Sequence, residues 1–145
     1  MFSRLGSIAI VALACSTSPG VQPPLNQPFS LRIGESARFP DANLTVTFRA
    51  VSEDSRCPRD VVCVWAGNGQ VVLEVRLSTS VRTVVLNTTT QPHEVSVGSY
   101  RLALEELTPV PESQSRIPPS EYTATLKLQA GQRRLASRSR STVTS

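Results

Sequence analysis

The sequence predicts an all-β fold, a small antiparallel β-sandwich or barrel-like domain of about seven or eight strands. Three observations predict it. Apolar residues recur with period two, the repeat of a strand with one buried face. Turn formers separate these runs at short intervals. No stretch carries the i, i+3, i+4, i+7 apolar pattern of a helix with one buried stripe.

The strands follow in order along the chain. Phe29, Leu31 and Ile33 alternate with Ser30 and Arg32, and Gly34 ends the run. After Pro40-Asp41, Leu44, Val46 and Phe48 alternate with Thr45, Thr47 and Arg49. After Gly67-Asn68-Gly69, Val71, Leu73, Val75 and Leu77 alternate with Val72, Glu74 and Arg76. Weaker patterns at 81–86 and 94–97 are read as further strands, with turn residues over 87–92 between them. Beyond Gly98, Tyr100, Leu102 and Leu104 alternate with Arg101, Ala103 and Glu105, although one helical turn over 102–107 fits as well. Pro109, Pro111, Pro118 and Pro119 flank a polar stretch at 112–115, the composition of a long surface loop. The final run sets Tyr122, Ala124, Leu126 and Leu128 against Thr123, Thr125 and Lys127. An immunoglobulin domain is disfavoured, because its two cysteines lie far apart on facing sheets with the tryptophan between them. Here Cys57 and Cys63 are close in sequence and Trp65 follows both.

The ends differ from this body. Residues 1–14 have the parts of a secretory signal: Arg4, an apolar run, and Ala12-Leu13-Ala14 as a cleavage site. The run is too short to span a bilayer, which takes about 20 apolar residues. Cys15 follows the cut, so the leader resembles a bacterial lipoprotein signal, and Cys15 is the expected lipidation site. Ala12 stands where such signals usually carry Leu, Val or Ile. Lipidation also accounts for the odd cysteine in an oxidising compartment. Ser16, which is not Asp, implies the outer membrane if the Gram-negative class is followed. Residues 15–28 read as a flexible tether, 29–130 as the β domain, and 131–145 as a disordered basic tail.

The formal charge of +4 belongs to the ends. Between Cys15 and Gln132 there are ten Lys and Arg against eleven Asp and Glu. A body so nearly neutral argues against a nucleic-acid partner. The tail arginines, Arg133, Arg134, Arg138 and Arg140, could meet anionic lipid, but a solvated end is the simpler expectation.

The segment S-E-D-S-R-C-P-R-D-V-V-C-V-W-A-G holds the candidate site. Cys57 and Cys63 are expected to form a disulfide. Closing so small a ring stabilises by roughly 2 kcal/mol in the loop-entropy model. The bridge would fix a loop between a strand ending near Val51 and one beginning near Val64. Trp65 would then share a strand face with Cys63 and pack over the disulfide or in the core. Ala66-Gly67 would allow close backbone approach or a bulge. Asp54, Arg56, Pro58, Arg59, Asp60 and Trp65 form a candidate binding loop.

Four roles fit these residues. A structural staple is the default. A rigid recognition loop for a peptide, glycan or envelope protein is compatible with it. Arg56 or Arg59 could be offered to a trypsin-like protease. Glu53, Asp54 and Asp60 could converge on calcium, although the regular D-x-D-x-D-G spacing is absent. Asp60 is otherwise expected to pair with Arg56 or Arg59 at the surface. The C-x5-C spacing does not favour redox chemistry, for which C-x-x-C is typical.

Enzymatic activity is not expected, and neither is a cofactor or metal. His93 is the only histidine and follows Pro92 in a turn, where a solvated role is expected. There are too few ligands for zinc or copper, no G-x-S-x-G and no phosphate-binding glycine loop. Glu105 and Glu106, adjacent on a strand, would face opposite ways and could not act as a glycosidase pair.

The motif D-S-R-C-P-x4-C-x-W-A-G, as V-S-E-D-S-R-C-P-R-D-V-V-C-V-W-A-G over 51–67, resembles the signature of small bacterial exported proteins and lipoproteins of uncharacterised role. F-S-L-R-I-G-E-S-A-R and L-T-V-T-F are similar to their opening strands, and Y-R-L-A-L-E-E-L-T-P and E-Y-T-A-T-L to their closing half. The resemblance spans about 29–128 and implies architecture and an envelope location, with no catalytic residue. The expected protein is therefore a lipid-anchored cell-envelope module whose role is binding or structural. Its partners would be the membrane, through the anchor, and an envelope protein or glycan. The alternative is an inhibitor of an extracytoplasmic serine protease acting through the Cys57–Cys63 loop.

Overall fold

Alternation places hydrophobic side chains on one face of each strand, and two such faces close on each other in a β-sandwich. A computed structural model describes residues 20–131. The expected leader (1–14), the lipidation site Cys15 and residues 132–145 of the expected tail lie outside the described residues.

The strands are β1 (Pro28–Arg32), β2 (Ser36–Phe39), β3 (Leu44–Asp54), β4 (Gly69–Leu77), β5 (Ser80–Asn87), β6 (Glu94–Val97), β7 (Tyr100–Thr108) and β8 (Thr123–Ala130). Single 3-10 turns lie at Pro40–Ala42 and Pro119–Glu121. One sheet has the order β1-β8-β7-β6 and the other β2-β3-β4-β5, with every pair antiparallel. The inward faces supply one core. Leu31, Leu102, Leu126 and Leu128 come from the first sheet and Val46, Phe48, Leu73 and Leu86 from the second, all fully buried. Phe29 meets Phe39 edge-on across the sheets, ring centres 5.3 Å apart.

Three features depart from the alternation. Residues 36–39 form β2, a short strand that lines up Ala37 with Val46 and Phe39 with Leu44. Strand β3 continues past Arg49 to Asp54 through two irregularities in register, so it reaches beyond the body of the sandwich. A bulge between Leu104 and Glu106 in β7 changes the repeat. It turns both Glu105 and Glu106 outward and sends Leu107 into the core. The extra residue of a bulge explains why 102–107 matched a helical turn as well as a strand.

The stretch expected to be a tether is in part laid on the domain. Val21 forms a parallel bridge with Ala37, donating to the Ser36 carbonyl at 3.0 Å and accepting from the Arg38 amide at 2.8 Å. Asn26 donates to the Leu128 carbonyl at 2.8 Å, and Leu25 packs against the core. Val21, Leu25 and Asn26 thus hold this part of the stretch against the β domain, and Pro28 already belongs to β1. At the other end, the Gly131 amide donates to Ser99 at 2.6 Å.

Phe48 is fully buried. Phe48→Ala should destabilise the domain by about 3–5 kcal/mol through lost transfer energy and a residual cavity. Val85→Ala, on the outer face of β5, should shift the urea midpoint little. Equilibrium unfolding of the two variants against wild type checks the contrast.

Candidate functional site

The cysteine segment extends the β3–β4 ribbon. Past Asp54 the ladder continues through two hydrogen bonds, Ser55 amide to Asn68 carbonyl at 2.7 Å and Cys57 amide to Ala66 carbonyl at 3.0 Å. The Cys57–Cys63 disulfide is formed, with a Cα–Cα distance of 5.9 Å. Gly67 adopts φ +67°, and a Cβ there would lie 1.7 Å from the Ser55 carbonyl oxygen. Only glycine allows the two backbones to approach in this way, as the Ala66-Gly67 pair suggested.

Beneath the loop, Arg56 is held inward. Its Nε donates to Asp54 Oδ1 at 2.7 Å and its Nη2 to Asp54 Oδ2 at 2.8 Å. The same guanidinium donates to the backbone carbonyls of Leu107 and Pro109 at the end of β7, the latter at 2.8 Å. The Tyr122 hydroxyl, just before β8, donates to Asp54 Oδ2 at 2.9 Å. Both charged side chains of the pair are only 11% exposed. One ion pair thus ties the end of β3 to the other sheet.

The electrostatics follow from this geometry. Burial pushes the Asp54 carboxyl up, but hydrogen bonds from Arg56 and Tyr122, together with the Arg56 charge, outweigh it. The result lies below the ordinary 3.8. Burial, then the hydrogen bond to Asp54 and the Asp54 charge, push the Tyr122 hydroxyl from 10.0 up to about 12.

A second set of contacts docks the loop onto the proline-flanked segment that precedes β8. The Arg59 amide donates to the Pro111 carbonyl at 3.0 Å, and the Arg59 side chain pairs with Glu112. Asp60 accepts from the Ser113 amide at 2.8 Å and from the Ser113 hydroxyl at 2.5 Å. The expected pairing of Asp60 with Arg56 or Arg59 is therefore replaced by the contact with Ser113. The polar segment across from it offers a hydroxyl and an amide at once, while both arginines have nearer carboxylates. Between the two loops lies an open cleft of about 1020 Å³, walled in part by Glu53, Pro58, Gln114 and Pro118.

The tip of the loop is apolar and open. Val62 is fully exposed, Val64 is 90% exposed and Trp65 is 82% exposed, with Val61 half exposed beside them. Trp65 was expected over the disulfide or in the core. It is not in the core, because β4 begins at Gly69 and not near Val64, so Trp65 lies on no strand and stands exposed to solvent.

Of the candidate loop residues, Asp54 and Arg56 form the base, Pro58 lines the cleft, and Arg59 and Asp60 form the seam with Pro111, Glu112 and Ser113. Trp65 stands apart at the tip. Glu53, Asp54 and Asp60 are not brought together as a cation cage, since Arg56, Tyr122 and Ser113 occupy the two aspartates. Among the described residues no cluster of three or more His, Cys, Asp or Glu is placed to hold a metal. His93 is half-buried, with Nδ1 2.9 Å from the Asn87 carbonyl, and braces its turn. Sequence reasoning missed Tyr122, Glu112 and Ser113 as partners, which no local pattern reveals. It also missed Val61, Val62 and Val64 as an exposed group. Their signal was legible: V-V-C-V-W is an apolar run inside a loop fenced by turn formers.

Arg56→Ala leaves a largely buried carboxylate short of its main partner and should cost about 3 kcal/mol of stability. Arg59→Ala, at a surface pair, should cost far less. Chemical denaturation of both variants checks the difference. The pH dependence has two limbs. Asp54, with a lowered folded pKa, contributes stability that is present above its unfolded value and lost as pH falls through the folded one. Tyr122, raised from 10.0 to about 12, contributes stability that is present below pH 10 and lost as pH rises through that interval. In Tyr122→Phe the alkaline limb should flatten while an acid limb persists, as read from denaturation midpoints across pH.

Comparison of the chain with protein-family models, with curated proteins and with solved structures finds no match in any of the three.

Proposed function

We propose that this chain is a lipid-anchored cell-envelope module that makes contact through the tip of its stapled loop. The observation that carries this reading is the exposure of Val62, Val64 and Trp65 on a loop whose base is closed by a disulfide and by hydrogen bonds on both sides. Apolar side chains on a free surface gain nothing from folding. Their burial against a second surface contributes about 25 cal/mol per Å², and a loop already ordered loses little entropy on contact. The leader with Cys15 at its end supports export and anchoring. The disulfide is compatible with an oxidising compartment.

Protease inhibition through the same loop would rest on Arg59 alone. Arg56 has its guanidinium committed to Asp54 and to the carbonyls of Leu107 and Pro109, so it is not held out for a specificity pocket. Arg59 leans on Glu112.

Cys15→Ser should release the protein from the membrane fraction, and wild type should carry a lipid on the Cys15 peptide by mass spectrometry. A photocrosslinker at position 62 or 64 should label a defined envelope component, while one at position 85 on β5 should not. Equal labelling from all three positions would remove the tip as the contact surface.

A further inference from the structure

We infer that the surface met by the tip is the lipid bilayer itself, so that the loop is a second membrane contact beside the anchor. The inference rests on the proposed anchoring and specifies what the tip touches.

The chemistry of the tip favours lipid. From Val61 to Gly67 no side chain is charged, and the indole N–H of Trp65 is the only strong side-chain hydrogen-bond donor. Directly behind the tip the charged groups are already satisfied, Arg59 by Glu112 and Asp60 by Ser113. The result is a convex apolar knob with a polar collar. A bilayer interface asks for that arrangement: aliphatic side chains in the acyl region, an indole at the boundary and charges level with the headgroups. A protein pocket that selects by charge would find no charged side chain on the tip to meet.

The path of the chain brings the same end of the sandwich to the membrane. Val21 runs parallel to β2 at Ala37. Traced backwards, the chain passes Ser36 toward the Gly34–Glu35 turn that follows β1. The last residue of β1, Arg32, is paired with Thr123, and Thr123 with Thr108. Tyr122, next to Thr123, holds Asp54 at the base of the cysteine loop. The N-terminal exit and the loop therefore share one end of the sandwich. Only five residues, 15–19, precede Gly20 once the leader is cut. Fully extended, they span at most about 18 Å. An anchor so short keeps that end close to the bilayer.

Trp65 is the only tryptophan in the chain, so emission excited at wavelengths that tyrosine does not absorb reports the tip alone. The full chain, made with its own leader and purified from membranes, is reconstituted into phosphatidylethanolamine–phosphatidylglycerol vesicles with and without brominated acyl chains. The expected result is emission shifted to shorter wavelength, quenching by the brominated lipid and protection from iodide. Val62→Asp/Val64→Asp should restore water-exposed emission and iodide access with an unchanged unfolding midpoint. Emission typical of water, with equal iodide access in both vesicle types, overturns the inference. So does a shift that appears only when envelope proteins are added, which would assign the tip to a protein partner. The mass of the N-terminal peptide from the same sample reports lipidation separately. If the lipid is absent, the anchoring proposal fails, and the same vesicles are added to the unlipidated chain. Quenching of Trp65 by brominated lipid then supports the tip contact, and its absence overturns it.

Discussion

One guanidinium decides how this domain ends. A guanidinium carries five N–H donors and no acceptor, so every place Arg56 occupies must supply acceptors. The fold provides them from two strand ends: both carboxylate oxygens of Asp54 at the end of β3, and the backbone carbonyls of Leu107 and Pro109 at the end of β7. The flat fork of an arginine matches a carboxylate and two carbonyls together, which the point charge of a lysine would not. Tyr122 completes the set and joins the approach to β8. Among the described residues no buried side-chain polar atom lacks a partner, so the network is closed. Such networks specify geometry when every member is satisfied.

The disulfide acts on a different scale. It joins two cysteines at a sequence separation of 6 within one loop and ties no sheet to another. Its ring constrains the loop, while the Arg56 clasp fixes where the base of that loop stands. The contacts of Arg59 and Asp60 with 111–113 then prevent the loop from swinging about that base. With base and side held, the tip has no freedom to fold back over its own valines. The exposure of Val62 and Trp65 is thus a result of restraint below them, and it is why an apolar tip can persist in water without collapsing onto the sandwich.

The period-two runs placed the central strands well because each had one buried face and a clear repeat, as with Leu44, Val46 and Phe48. β2 escaped notice because four residues with one alanine and one phenylalanine inward give too short a signal. The far end of β3 was hidden by its two irregularities, and Leu107 by the bulge that shifts its face. In the candidate site, the Cys57–Cys63 bridge and the special role of Gly67 were legible, since both depend on neighbours in sequence. The destination of Arg56 was not, because Leu107, Pro109 and Tyr122 are far away along the chain and only the sandwich brings them near. Trp65 was misplaced for a related reason: its position relative to Cys63 fixes a strand face only where a strand exists.

The bridge at Val21 has a consequence for solubility. A sheet with the order β2-β3-β4-β5 has two edges, and an edge strand is a template for other chains. Val21 occupies the outward carbonyl of Ser36 and the outward amide of Arg38. A protease that trimmed the chain back to Leu25 would leave every core residue in place, yet it would uncover those two groups on β2. The trimmed domain would keep its fold and gain a site for strand addition, so the short segment before β1 also guards the protein against polymerising with its own copies.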